Sequence, residues 1–240
     1  MSETRTRTLT LHGTPVEYEV RYSAEATKAR IDVGLKGIRV VIPERSPTDS
    51  EALVAENADW VLEKKRKYDD YRARIPDRTF AAGETFPYRD EPHEIVVETR
   101  SKSDIEDGQF RLADHHVKQT SIKRALETLY RRRAREFFEE QAERFADRMG
   151  VEYAAIEVRN QRTKWGSCST TGTLSLNWRL LMAPPAVATY VVVHEVAHLR
   201  EPNHTDAFWS LVAEYDPEYR DHTRWLKDHG ARLVFSDDDI

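Results

Sequence analysis

Hydrophobic and polar residues alternate with a period of two over most of the segment from Thr4 to Ile42. Gly13, Gly34 and Gly37 separate the alternating runs, and Pro43 follows the last one. A period of two puts successive side chains on opposite faces of a strand, and glycine and proline mark the turns between strands. The segment therefore predicts antiparallel strands joined by short turns.

A helical period replaces this alternation after Pro43. Ser46-Pro47-Thr48 offers capping side chains and a proline for a first helical turn. From there one uninterrupted helix is predicted as far as Arg74, and Pro76 closes it. Its expected buried side is formed by Leu53, Trp60, Val61 and Tyr68.

Alternation returns between Thr79 and Val117, apart from a polar loop over residues 101–108, and predicts a second β-rich stretch. The segment from Ser121 to Met149 then has almost no helix-breaking residue and carries large apolar residues at helical spacings. Gly150 follows it, as a C-cap residue would. This segment predicts one long helix.

The last third of the chain combines short strands with helices. Strands are predicted over residues 154–160 and 173–180, and three helices start near Pro184, Thr205 and Asp216. The chain is therefore expected to be an α+β protein without a repeat at a solenoid period. We divide it into a β-rich region with one helix (residues 1–117), a second domain (residues 118–235) and an acidic tail (residues 236–240).

Composition narrows the class of protein. A chain of 240 residues with 39% hydrophobic and 33% charged residues is long enough for one large domain or two small ones and belongs among globular proteins. The net charge of -5 gives no global argument for nucleic-acid binding. The single cysteine, Cys168, excludes an intramolecular disulfide and a zinc site made of several thiolates. Any metal must therefore be held by histidine and carboxylate.

The distribution of apolar residues argues against a membrane or secretory destination. The first ten residues carry no apolar signal-peptide core, and no apolar stretch approaches the roughly 18 residues of a membrane-spanning helix. Together with the lone cysteine, these features predict a cytoplasmic protein that is not inserted in a membrane.

His194-Glu195-Val196-Ala197-His198 is an HExxH pattern. On a helix its two histidines lie one turn apart on the same face, where both imidazoles can bind one cation, and Glu195 projects beside them. The flanking residues make this helix apolar nearly all round, and ionisable groups in a buried helix are costly unless a cation organises them. The pattern predicts one zinc ion, with Glu195 as the general base that takes a proton from an activated water.

A catalytic zinc site of this kind needs a third protein ligand. His204 stands six residues after His198, the spacing of HExxHxxGxxH sites, although the glycine of that pattern is missing. The turn can still form, because Asn203 tolerates left-handed backbone and Thr205 can cap the helix that follows. His204 is therefore the preferred third ligand. Two carboxylates on later helices, Glu214 and Glu218, are the alternatives.

The sequence around these residues resembles a known family. The run from Arg159 to Trp209, continued by residues 216–230, is similar to the YgjP-like metallopeptidases, a zincin-like group related in appearance to SprT-like and WLM proteases. The earlier half resembles that family only in the layout of its strands and helices. The resemblance implies a zincin-like catalytic domain, in which the HExxH helix lies beside a small antiparallel sheet, after a β-rich N-terminal half.

The resemblance also implies functional residues. They are a zinc ion on His194, His198 and His204, Glu195 as general base, and a signature turn at Trp165-Gly166-Ser167-Cys168 beside the active site. It implies no particular substrate. Cys168 itself is expected to be a buried small side chain rather than a thiol that senses oxidants.

A substrate platform is predicted next to this turn. Residues 173–178 alternate apolar and small polar side chains, as in a strand with one buried face. If this strand is an edge beside the zinc, an extended peptide can add to it by backbone hydrogen bonds; the alternative is an ordinary interior strand. The residues expected to bind substrate are Arg162, Lys164, Trp165 and Arg179, whose cations can stabilise an oxyanion or hold phosphates.

Several functions remain open from the sequence. The preferred one is a zinc-dependent hydrolase, specifically a metallopeptidase that acts on polypeptide. The first alternative is a metal-dependent nucleotide pyrophosphatase, because an activated water attacks phosphorus as readily as carbon where cations hold the oxygens. The second is a DNA-associated protease of SprT-like type. A purely structural zinc is opposed by Glu195, which a closed structural site does not need.

An arginine-rich run, Arg131 to Arg135, raises the question of nucleic acid. Glutamates follow it directly, so that Arg132 with Glu136 and Arg135 with Glu139 are spaced to form ion pairs one helical turn apart. Such pairs are favoured over contact with a phosphate backbone.

Overall fold

The computed structural model describes residues 4–239. Within that range the chain is a mixed α+β protein with three small β-sheets and seven α-helices. Contacts between residues divide it into two compact units, one that ends at Ile75 and one from Pro76 to Asp239. None of the described helices is long and apolar enough to cross a membrane.

The N-terminal unit is a four-stranded sheet followed by two helices. Its elements are β1 (Thr4–Leu11), β2 (Thr14–Ser23), β3 (Arg30–Gly34), β4 (Gly37–Pro43), α1 (Ser50–Glu56) and α2 (Ala58–Arg72). The strand order is β1-β2-β4-β3, with antiparallel outer pairs and a parallel pair of β2 with β4 at the centre. The parallel pair was not predicted, because a period of two shows which face a side chain takes but not the direction of the neighbouring strand.

The prediction of a single helix after Pro43 was wrong. Asn57 ends α1 and precedes α2, with a non-helical backbone and a side-chain amide that donates to the Leu53 carbonyl. Val54 and Val61 lie in the core of the unit, whereas Trp60, which was expected on the buried side, is 41% exposed.

The second unit begins with another four-stranded sheet and helix pair. Its elements are β5 (Thr85–Tyr88), β6 (Glu91–Glu98), β7 (Asp104–Glu106), β8 (Gln109–Ala113), α3 (Asp114–Gln119) and α4 (Ile122–Met149). The order β5-β6-β8-β7 and the pairing directions repeat those of the first sheet, so the same topology occurs twice. The repeat lies in strand connectivity and was not visible as a repeated sequence.

The remainder of the second unit carries the HExxH residues. Its elements are β9 (Ala155–Arg159), β10 (Gly166–Cys168), β11 (Thr173–Asn177), α5 (Pro185–Ala197), α6 (Asp206–Tyr215) and α7 (Tyr219–His229). A short 3-10 helix at Trp178–Met182 lies between β11 and α5, and two more follow α7 at Gly230–Leu233 and Asp237–Asp239. The third sheet has the order β10-β11-β9 and is mixed rather than antiparallel, because β11 pairs antiparallel with β10 and parallel with β9.

Helix α4 confirms the long helix predicted from the sequence. Ser121 accepts a hydrogen bond from the Arg124 amide at the start, and Gly150 ends the helix in the left-handed conformation at φ 65°. A full face of the helix is buried, including Leu126, Tyr130 and Phe138.

The observed division of the chain falls after Ile75, not after residue 117 as the sequence suggested. The second sheet accounts for the difference, since its Phe86 and Phe110 share one hydrophobic core with α4 and α5. The acidic end does not behave entirely as a solvated tail, because the Asp239 side chain is buried.

Candidate metal centre

Helix α5 presents the two histidines of the HExxH pattern. It starts with Pro185 in the first turn, as predicted, and its apolar residues bury it almost all round. His194 lies in the last turn, and His198 is the C-cap residue with helical backbone angles. Their rings are 5.0 Å apart, so the spacing of four residues brings both imidazoles to the same point.

His204 joins these two histidines. Its Nε2 atom lies 3.0 Å from Nε2 of His194, and one ring nitrogen from each of the three histidines lies within 4.8 Å of the others. Among residues 4–239 this is the one cluster of three or more potential metal ligands, and neither Glu214 nor Glu218 belongs to it.

The turn that delivers His204 forms without a glycine. Thr205 caps α6 by accepting a hydrogen bond from the Phe208 amide, as the sequence indicated. Asn203 does not adopt the left-handed conformation that was expected of it. The turn is closed instead by a hydrogen bond from the Thr205 amide to the Asn203 carbonyl, and by bonds of the residues after α5 back to its last carbonyls.

Aromatic rings fix two of the imidazoles. Phe208 stacks on His198 with ring centroids 4.5 Å apart, and Trp209 stacks on His204 at 5.5 Å. His198 also donates through Nδ1 to the Glu201 carbonyl, at 3.1 Å. Because Nδ1 carries the proton, Nε2 of His198 keeps its lone pair free for a cation.

Three observations indicate that a cation fits this cluster. Burial, and then the two neighbouring histidines, lower the pKa of His194 to about 4, so that its ring is neutral at pH 7. Burial also lowers the pKa of His198. Lone pairs on Nε2 of His194 and His204 repel each other at 3.0 Å unless a proton or a cation lies between them. Neutral imidazoles are the form that binds zinc.

Glu195 lies beside the cluster and is 5% exposed. Its carboxylate packs against Gly166, where an added Cβ would stand 2.6 Å from Oε1. Burial raises the pKa of Glu195 to about 7, while the charge of Lys164 and a hydrogen bond from the Cys168 amide act in the opposite direction. The carboxyl group can therefore exchange a proton near neutral pH.

A cleft of about 960 Å³ gives access to these groups. The three histidines and Glu195 form one wall, and residues 166–172 form another. Cys168 is half-buried in this cleft rather than fully buried, and its pKa is raised by burial and by the charge of Glu195. A raised pKa leaves it a thiol at neutral pH.

The edge strand beside α5 is β10, not β11. Strand β11 pairs on both sides, so the interior alternative for residues 173–178 is the correct one. Within the β10–β11 pair, the Asn177 amide donates to the Trp165 carbonyl and the Ser169 amide to the Thr173 carbonyl. Along a strand of an antiparallel pair, the backbone N–H and C=O groups of successive residues point alternately toward the partner strand and away from it. The N–H and C=O groups of Gly166 and Cys168 therefore face away from β11.

The structure brings two of the four predicted substrate-binding residues to the site. Lys164 and Trp165 line hollows that also contain His194 and Glu195. Arg162 lies elsewhere, on the surface, where its Nε donates to the Asp238 carbonyl. Arg179 is only 3% exposed and lines neither hollow.

Arg179 instead anchors the loop that leads into β10. It donates to the Gln161 carbonyl at 2.7 Å, and its guanidinium lies 5.4 Å from the centroid of the Trp165 ring. Asn177 donates to the same carbonyl and to that of Lys164. Side chains at the end of β11 and just after it, those of Asn177 and Arg179, therefore hold this loop in place.

Asp239 completes this network and was missed from the sequence. Its carboxylate lies 3.8 Å from the Arg179 guanidinium, accepts from the Asn160 side chain at 2.6 Å, and accepts from the amides of Phe235 and Ser236. The only signal in the sequence was an acidic run, which usually indicates a solvated segment.

The arginine-rich run of α4 is occupied by protein contacts. Arg135 pairs with Glu139 as predicted, whereas Glu136 pairs with Arg133 and not with Arg132. Arg132 and Arg133 both contact Asp104. Arg132, Arg133 and Arg135 thus contact acidic side chains of the protein itself.

Comparison with known proteins identifies the family of this chain. A family model described as the YgjP-like metallopeptidase domain matches residues 27–229. The solved structure of the metallopeptidase zymogen abylysin from Pyrococcus abyssi is similar at 23% identity and a TM-score of 0.36, covering 40% of this chain and 99% of that one. No curated protein matches the chain.

Proposed function

Because the chain belongs to the YgjP-like metallopeptidase family, we propose that it is a zinc-dependent peptidase in which His194, His198 and His204 hold the ion and Glu195 is the general base. The observation that carries this proposal is the convergence of three imidazoles beside a buried glutamate in one open cleft. A zincin-like arrangement of the HExxH helix beside an edge strand is part of the proposal. So is a cytoplasmic location, which rests on the lone cysteine.

The donor set fits zinc. Neutral imidazoles are preferred zinc ligands, and three protein ligands with an open side are typical of catalytic rather than structural sites. When bound, the ion supplies Lewis acidity toward a substrate carbonyl and toward water. The carbonyl of Glu201 orients His198, and the rings of Phe208 and Trp209 hold the other faces of the cluster.

Glu195 is suited to move the proton of the attacking water. Burial raises the pKa of its carboxyl group and so strengthens the carboxylate as a base, which can accept that proton and return it to the leaving amine. The amide of Cys168 holds the carboxylate in place, and the missing side chain of Gly166 leaves room for it.

Strand β10 offers a binding edge for an extended peptide. The backbone groups of Gly166 and the carbonyl of Cys168 face away from β11, on the side of Glu195. A peptide that adds to this edge places its carbonyl groups along the same strand that carries the general base. Lys164 lies two residues before Gly166 and lines the cleft, so its ammonium group can act on the substrate carbonyl under attack.

The alternative functions have less support than the peptidase. Hydrolysis of a phosphoanhydride needs cations around the phosphates, but Arg162 and Arg179 lie outside the cleft. A DNA-associated protease needs a basic surface, and Arg132, Arg133 and Arg135 of the arginine-rich run are engaged in ion pairs. Of the cations on which the pyrophosphatase alternative depends, only Lys164 lines the cleft.

A metal-loaded assay tests the proposal. Purified protein with one equivalent of zinc is incubated in parallel with unfolded polypeptide and with nucleoside triphosphates, and Glu195→Gln serves as the matched control. We expect cleavage of polypeptide alone, lost in Glu195→Gln although zinc remains bound. Hydrolysis of triphosphate without cleavage of polypeptide would replace this proposal by the pyrophosphatase alternative.

A further inference from the structure

A second hollow of about 390 Å³ adjoins the histidine-lined cleft between α5 and α7. The two hollows share Lys164, Gly166, His194 and Glu195. The residues that line only the second one are Trp165, Tyr190, Val191, Thr223, Leu226 and Lys227. We call it the α5–α7 pocket. It opens directly beside the general base and plays no part in the chemistry described above.

The walls of the α5–α7 pocket are apolar. Trp165, Val191 and Leu226 contribute an indole and two aliphatic side chains. The hydroxyl groups of two further lining residues bond to each other, since that of Thr223 donates a hydrogen bond to that of Tyr190 at 2.9 Å. Trp165 is held in place by the buried Arg179, so this wall is preformed. A ligand that places an apolar group in a preformed apolar pocket binds more tightly, because that group is removed from water.

The mouth of the pocket is positively charged. Lys164 and Lys227 are exposed, and neither forms an ion pair with another described residue. Glu195 is the only carboxylate among the lining residues, and it is buried. A substrate carboxylate near the mouth would therefore meet two ammonium groups, whereas a substrate cation would be repelled.

We propose that the α5–α7 pocket selects substrates, taking the large apolar side chain of a residue next to the scissile bond, with an adjacent acidic residue held by Lys227. This inference rests on the proposed peptidase function and adds the class of substrate: polypeptide segments in which a leucine- or phenylalanine-like residue has a carboxylate neighbour. A pocket of this volume accommodates one large side chain, so the neighbouring residue stays outside at the mouth, where Lys227 is exposed.

Thr223 allows the apolar part of the pocket to be tested with a matched pair. Thr223→Trp fills the pocket from the exposed helix α7, whereas Thr223→Val loses the hydroxyl but keeps the volume. Zinc-loaded protein is given a pool of peptides of equal length that differ at one position, and cleavage sites are read by mass spectrometry. We expect apolar residues to exceed glycine by about 10- to 200-fold next to the cleaved bond. That preference should persist in Thr223→Val and be lost in Thr223→Trp.

The charged part has its own pair of variants on α7. Lys227→Glu reverses the charge at the pocket, and Arg224→Glu makes the same change at an exposed residue that does not line it. Lys227→Glu should change the preferred neighbour from acidic to basic, and Arg224→Glu should leave it acidic. Unchanged preference in Lys227→Glu, or the same shift in both variants, would overturn the role of the lysine.

A binding measurement separates this inference from the peptidase itself. Calorimetry with zinc-loaded Glu195→Gln compares two probes, Ala-Ala-Phe-Glu-Ala and Ala-Ala-Gly-Glu-Ala, and needs no turnover. The phenylalanine peptide should bind at least about tenfold tighter, and adding Thr223→Trp should abolish the difference. Equal binding of both probes would overturn the pocket assignment. Failure of the wild type to cleave any peptide, with the binding difference intact, would overturn the proposed function alone.

Discussion

Gly166 and Glu195 are in contact so close that position 166 has no space for a side chain. An added Cβ would stand 2.6 Å from Oε1 and 2.7 Å from Cγ of Glu195, shorter than real Cβ contacts. Gly166 does not require glycine for its backbone angles, since its φ is not positive. Its role is steric, because it lets the edge strand approach the Glu195 carboxylate.

Gly166→Ala should therefore reduce turnover while zinc stays bound. The new methyl group must displace the Glu195 carboxylate or the edge strand, and a displacement of about 1 Å in an active site costs roughly 100-fold in rate. Steady-state kinetics and metal analysis on the same sample measure both effects. Gly34→Ala is the matched control, because its Cβ would meet nothing within 4 Å. Wild-type kcat in Gly166→Ala would mean that Glu195 does not act from its observed position.

Loss of His204 should weaken zinc binding strongly. Its Nε2 lies 3.0 Å from that of His194, so His204→Ala removes one of three converging donors. We expect a loss beyond the roughly 10- to 100-fold that removal of a ligand's hydrogen-bond partner causes. Competition with a zinc-binding dye measures the affinity. Glu218→Ala should bind zinc like the wild type, and the opposite result for the two variants would identify Glu218 as the third ligand.

Lys164 and Arg162 should differ in their effect on catalysis. Lys164 lines the cleft beside Glu195, so Lys164→Gln should lower kcat by about 10- to 1000-fold if its charge acts on the developing oxyanion. Arg162→Gln removes the same charge two residues earlier, outside the cleft, and should leave kcat unchanged. A change confined to KM in Lys164→Gln would assign the lysine to substrate binding instead.

Asp239 should control the order of the loop before β10. Asp239→Asn removes a carboxylate from beside the buried Arg179, and breaking a comparable buried pair costs about 3 kcal/mol. Hydrogen exchange at residues 161–166 should accelerate more than exchange in α4. The exposed neighbour Asp237, changed to Asn, provides the control. Unaltered exchange in Asp239→Asn would show that Asn177 holds the loop without it.

Asp104 should make stability depend on pH. Burial acts to raise the pKa of this carboxyl, but the Ile105 amide and the charges of Arg133 and Arg132 outweigh burial and lower it. A folded-state pKa below the unfolded value stabilises the protein above about pH 4, and this stabilisation is lost as the pH falls through the folded value. Asp104→Asn should therefore cost on the order of 1 kcal/mol at pH 7 and progressively less below pH 4.

Denaturant unfolding at several pH values measures this difference. Asp107→Asn is the control, since that side chain is 87% exposed and lies 3.9 Å from Arg111. If Asp104→Asn lost the same free energy of unfolding at pH 3 as at pH 7, its effect would be steric rather than electrostatic.

The sequence by itself predicted the features that depend on residues close together in the chain. The spacing of His194 and His198, the caps at Ser121 and Thr205, and the left-handed Gly150 follow from the geometry of single helices. His204 could be placed because only one short turn separates it from α5. In each case the interactions span a few residues, so the sequence contains the information directly.

Only the tertiary structure decided the features that depend on distant segments. The assignment of the edge to β10 rather than β11, the burial of Arg179, and its pairing with Asp239 all require pairings across many residues. The sequence pattern of a strand shows which of its faces is apolar, but not which strands pair with it. The identity of a charged residue likewise does not show whether an oppositely charged residue from a distant segment packs against it. The sequence thus determined which residues can hold the metal, and long-range packing determined which others can reach the substrate.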